Sequence, residues 1–141
     1  MAQITYNAQD VSLPEINPNK VSSWLNKIAT QEGCAIRRIN YIFCSDTYLL
    51  EVNKQYLNHD YYTDIITFDL SEDDTITSDI YISIDRVKDN AQTHEVSSEN
   101  ELLRVLAHGL LHLIGFNDKT EDEQLTMRKK EEASLSLWQK L

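Results

Sequence analysis

Positive charge is in short supply in this chain of 141 residues. Its 13 Lys and Arg face 23 Asp and Glu, for a formal net charge of −10. Over most of its surface such a chain repels nucleic acid and anionic membranes, so a polyanionic partner has to meet a local basic patch or a bound cation. Glycine and proline are also sparse, at three and two residues, which excludes collagen-like and loop-dominated architectures. No apolar run approaches the roughly 20 residues of a membrane span. The segment Met1 to Tyr6 has neither a basic n-region nor an apolar h-region, so no secretory signal is expected. The expectation is a soluble, cytoplasmic protein with no membrane partner. Only two cysteines occur. Cys34 and Cys44 flank a stretch with strand character, which sets the sulfurs roughly 30 Å apart when extended. That separation excludes a disulfide, and two free buried thiols are expected.

What is present is an ordinary globular mixture, long enough for one domain over 1–141 that buries about two-thirds of its chain surface. Ile4 and Tyr6 suggest a first strand. Asn17-Pro18 reads as a helix N-cap with proline at the first helical position, followed by Val21, Trp24, Leu25 and Ile28 at helical spacing and a stop at Gly33. A strand over 35–44 precedes a helix capped at Ser45-Asp46. Residues 63–70 are β-branched and aromatic and predict a strand. The acidic 71–77 reads as a loop, and 79–84 as a strand antiparallel to the previous one. A third helix starts near Asp85. Ser98-x-x-Glu101 has the pattern of a capping box opening a Leu-rich helix that Gly115 ends, and Thr120-x-x-Glu123 opens a last helix toward Trp138. The expected fold class is a layered α/β or α+β domain, with a small mixed sheet of about four strands packed with about five helices.

Chemistry concentrates in the Leu-rich helix. His108 and His112 stand at i and i+4, so both imidazoles leave one face with Cβ atoms about 5–6 Å apart. That is the bite for two nitrogens about 2.0–2.1 Å from one metal ion. Gly115 permits a chain reversal that can return the Asp118 carboxylate to the same ion. Three ligands with a fourth position left for water describe a catalytic rather than a structural site. The metalloprotease helix motif places Glu after its first His, and here that residue is Gly109. Two imidazoles and a carboxylate suit Zn2+, one per chain, and also other divalent transition metals.

His108-Gly-Leu-Leu-His112-Leu-Ile-Gly115-Phe-Asn-Asp118 resembles the signature of the YbeY family, H-G-x-L-H-L-x-G-Y-D-H. Asn53-Lys-Gln-Tyr56-Leu57-Asn-His59-Asp60-Tyr-Tyr62-Thr63-Asp64-Ile-Ile-Thr67-Phe68 resembles the family's N-x-x-Y-R-x-x-D-x-P-T-D-V-L-S-F. Asp79-Ile80 and Arg104 also fit, so the resemblance runs from residue 53 to about 132. The departures are Asp118 for the third metal-binding His, Leu57 for the family Arg, Tyr62 for a Pro and Ser78 for a Gly. The resemblance implies a zinc-dependent single-strand endoribonuclease of rRNA maturation and ribosome quality control, with rRNA and the ribosome or ribosomal proteins as partners. It makes Arg104, His59 and Asp64 candidate catalytic residues. Arg37 and Arg38 are further candidates for phosphate contact, and Asp60 for the general base. Two rival readings remain at this stage: a metal-dependent hydrolase of a peptide or small molecule, and a non-catalytic ribosome-associated metal-binding adaptor. The oligomeric state is not legible.

Overall fold

The computed structural model describes residues 3–141. Four strands and five helices follow the order β1 (Gln3–Ala8), α1 (Pro18–Gln31), β2 (Ala35–Cys44), α2 (Asp46–Leu57), β3 (Ile65–Asp69), β4 (Thr75–Ser83), α3 (Ile84–Thr93), α4 (Ser98–Ile114) and α5 (Glu121–Gln139). The sheet order is β1-β2-β4-β3. β1, β2 and β4 run parallel and β3 pairs antiparallel with β4. This is the mixed sheet with five helices that the patterning predicts. None of the helices is long and apolar enough to cross a membrane, among the described residues.

The sheet divides the interior into two layers because successive strand residues face opposite sides. Ile76, Ile80 and Ile82 of β4 join Ile39, Tyr41 and Phe43 of β2 and the apolar faces of α1 and α4 in the main core. On the other side, Cys44, Leu49, Val52 and Ile66 form a smaller cluster under α2, with Phe68 and Tyr81 against it. Two side-chain hydrogen bonds fix the helical layer. Tyr41 Oη donates to the Leu106 carbonyl at 3.1 Å, and Trp24 Nε1 donates to the Ser134 carbonyl at 2.7 Å. Both aromatic rings are fully buried, so each polar atom needs that partner.

Three local expectations change. The N-cap of α4 is Ser97, whose Oγ accepts from the Asn100 amide, so Ser98-x-x-Glu101 is not a capping box. Glu101 is instead buried along the helix. β4 begins at Thr75, inside the stretch expected as loop, because Thr75 and Ile76 find partners on β2 at Ala35 and Ile36. Both thiols are free as expected, but Cys34 is only half-buried. Cys44 is fully buried, and desolvation pushes its thiol up to about 12. The capping box at Thr120 and Glu123 forms as read.

Candidate metal centre

α4 is apolar on most of its circumference, yet it carries one ionic stripe. Glu101, Arg104, His108 and His112 follow at spacings of three and four residues, which places them along one face. That face meets α5. Gly109, next to His108, lets the opposite side of the helix approach the sheet closely. A Cβ there would lie 3.0 Å from Ile65 Cδ1 and 3.3 Å from Ile80 Cδ1. Gly109→Leu is therefore expected to cost about 1–3 kcal/mol by overpacking, read as a lower denaturation midpoint. Gly109→Ala, which only nudges two flexible side-chain ends, should cost far less.

Beyond α4 the chain turns at Gly115, whose φ of 127° lies in a region that disfavours a side chain. The amides of Gly115 and Phe116 close onto the Leu111 carbonyl, and the reversed chain brings Asp118 back to the helix. His108 Nε2 and His112 Nε2 lie 3.0 Å apart. Asp118 Oδ2 is 3.4 Å from each of them. A tetrahedral ion bound at about 2.0–2.1 Å requires ligand atoms about 3.3 Å apart. The spacings here, and the two nitrogens with one carboxylate, fit a divalent transition metal. Among the described residues, these three form the one His/Cys/Asp/Glu group of three or more able to hold an ion.

Behind the ligands stands a carboxylate that sequence reasoning did not single out. Glu131 of α5 is buried and its Oε2 accepts from His108 Nδ1 at 2.6 Å. With Nδ1 directed at Glu131, Nε2 is the His108 nitrogen turned toward His112 and Asp118. Glu131 Oε1 accepts from Arg104 Nη1 at 3.1 Å, and Arg104 also forks onto Glu101 through Nε at 3.0 Å and Nη2 at 2.6 Å. Desolvation pushes the Glu131 pKa up, but the His108 hydrogen bond and the Arg104 charge outweigh it and hold the group below its ordinary value. The hydrogen bonds that Arg104 donates to Glu101 lead the causes that raise its pKa above the usual range. The sequence signal for Glu131 was faint: an acid four residues after Met127, on the side of α5 that packs.

The other candidates sit elsewhere. Arg104 is joined to the centre through Glu131, with its guanidinium already engaged. His59 and Asp64 lie between α2 and β3 and make no hydrogen bond or ion pair with the three ligands. His59 Nδ1 is 2.9 Å from Tyr61 Oη, and the Asp64 carbonyl accepts from the Ser83 amide. Asp60 faces Lys54 at 3.5 Å. Arg37 bonds Asp73 at 2.7 Å, and Arg38 lines a separate depression beside it.

Exposure rises from His108 at 16% through His112 at 29% to Asp118 at 40% of the side chain, so the cluster opens outward. A cleft of about 630 Å³ adjoins it between α4 and α5 and includes both His108 and Asp118 in its wall.

Two histidines on α4 and an aspartate beyond its turn, open on one side and spaced to hold an ion, sit on a mixed α/β scaffold. Comparison with known proteins gives the family. The family model described as Endoribonuclease YbeY matches residues 3–139. A Cytophaga hutchinsonii protein named Endoribonuclease YbeY is 60% identical over 119 residues, covering 84% of this chain and 83% of its own. A Porphyromonas gingivalis protein of the same name is 45% identical over 139 residues, covering 99% and 92%. The solution structure of a Thermotoga maritima protein superposes with a TM-score of 0.65 at 28% identity, covering 97% of this chain and 92% of that one. The chain belongs to the YbeY family.

Proposed function

We propose that this chain is a metal-dependent endoribonuclease that hydrolyses single-stranded RNA in ribosomal RNA maturation and ribosome quality control. The observation that carries the reading is the set of ligand spacings at His108, His112 and Asp118, in a protein of this family. A divalent cation held there, with zinc the favoured metal, would supply Lewis-acid charge neutralisation at a phosphodiester and acidify a water. The side chains do the rest. His108 and His112 present Nε2 lone pairs. Asp118 adds the negative charge that a third imidazole would not. Glu131 holds the His108 ring and its tautomer, and Arg104 holds Glu131. We assign Arg104 to positioning, since two carboxylates already occupy its guanidinium. His59 and Asp64 remain candidates for substrate contact, in the segment that leads into Ile65 beside Gly109. The substrate is presented by the ribosome or a ribosomal protein in the cytoplasm, because a chain of net charge −10 attracts free RNA poorly.

The test is cleavage of an rRNA precursor by metal-stripped protein and by protein with zinc restored. Stripping should abolish cleavage and zinc should restore it. Asp118→His should retain metal and cleavage, since both side chains reach from this turn. Asp118→Leu should lose most of the metal on elemental analysis. Equal metal in all three proteins would remove Asp118 from the ligand set. Hydrolysis of a peptide or small ester, with RNA untouched, would overturn the nuclease reading.

A further inference from the structure

Besides His108, three basic side chains line the cleft beside the candidate centre, and they are not equivalent. Arg104 is committed to Glu101 and Glu131. His94 faces Glu101 at 3.8 Å. Arg128 is exposed, and no carboxylate lies within ion-pair distance of it among the described residues. It shares its side of α5 with Glu131 and Glu132, three and four residues on, and with Gln124 and Leu135, all of which line the cleft, and neither carboxylate is within ion-pair distance of it. Three residues of helix rise span about 4.5 Å, so Arg128 stands one turn along from the carboxylate that holds His108. Met127 and Leu135 add apolar wall. The cleft volume lies within the about 300–1,000 Å³ typical of sites for small organic ligands, enough for a nucleotide unit.

We propose that the α4–α5 cleft is the subsite for the nucleotide next to the scissile bond, with Arg128 binding its phosphate. The assignment rests on the reading of the chain as a ribonuclease. It also answers a difficulty that Leu57 raises. The family Arg is absent at that position, and a chain this acidic needs a free cation near the metal to hold a polyanion. Arg128 is such a cation, and it lies on the cleft that contains His108 and Asp118. Guanidinium suits the role because its planar fork takes two phosphate oxygens.

The experiment is a salt titration of binding to a short fluorescent single-stranded RNA, using zinc-loaded protein, with cleavage followed in the same samples. The proteins are wild type, Arg128→Ala, Arg128→Lys and Lys129→Ala. Lys129 is exposed on the same helix but does not line the cleft, so its replacement reports the effect of net charge alone. Each phosphate contact contributes about −0.7 to the log–log salt slope on single strands. Arg128→Ala should flatten the slope by about 0.7 and weaken binding about tenfold, as expected for one charged hydrogen-bonded contact. Arg128→Lys should keep the slope and lose part of the affinity. Lys129→Ala should leave both near wild type, and zinc affinity should be unchanged in all four. An unaltered slope in Arg128→Ala, or equal losses in Arg128→Ala and Lys129→Ala, overturns the subsite while wild-type cleavage leaves the nuclease reading standing. A wild type that neither binds nor cleaves RNA, whether free or presented on ribosomes, overturns both.

Discussion

Replacing Arg104 by methionine is expected to cost about 3–5 kcal/mol of folding stability, the penalty for removing one partner from a buried ion cluster. Glu101 is 1% exposed and Glu131 6%, so each carboxylate would be left in a site that water barely reaches. A denaturant titration of metal-free protein measures the effect directly. The companion variant is Glu101→Met combined with Arg104→Met. It should recover most of the loss, because a well-packed apolar pair is often as stable as the ion pair it replaces, while Glu131 keeps its hydrogen bond from His108. A surface arginine reserved for phosphate would behave differently. Its removal would leave stability within about 0.5 kcal/mol and lower only RNA binding, and that result would return Arg104 to the substrate.

The second large effect is on metal affinity. Glu131→Ala is expected to weaken zinc binding by about 10- to 100-fold, as is usual when the partner of a metal-ligating histidine is lost. His108→Ala should lose more than that, because it removes the ligand itself. Glu131→Gln keeps an acceptor for Nδ1 but not the charge, and should fall between wild type and Glu131→Ala. Competition against a chromophoric chelator reads all of these without an activity assay. Far-ultraviolet circular dichroism of the same samples confirms that α5 is still folded. Zinc affinity in Glu131→Ala equal to that of wild type would show that the 2.6 Å contact does not hold the ring for the metal.

How much of this was legible follows from how local each feature is. His108, His112 and Asp118 span eleven residues, and helical spacing plus one glycine turn determines their convergence, so that convergence could be read from the chain. Glu131 lies 23 residues from His108 and reaches it only because α5 packs across α4. No periodicity within either helix reports that crossing. Glu101 departs from the capping pattern for a related reason. An acid three residues after a serine satisfies the capping pattern, but Ser97 takes the cap and Arg104 draws Glu101 inward. In the sheet, the pairing of β3 with β4 follows from a short connection. The pairing of β2 with β4 joins strands separated by a helix and another strand, so Thr75 and Ile76 were assigned to the loop their acidic neighbours suggest.

The hydrogen bond from Trp24 to the Ser134 carbonyl ties the first helix to the last. Seen as an order of synthesis, it separates the making of the ligands from their assembly. A growing chain holds His108, His112 and Asp118 before any residue of α5 exists. The carboxylate that orients His108 comes thirteen residues after Asp118, and the seat that fixes α5 on Trp24 comes three residues later still. A nascent chain halted short of Glu131 would carry every ligand and none of the support. The buried carboxylate that meets His108 is thus supplied only by the last helix of the chain.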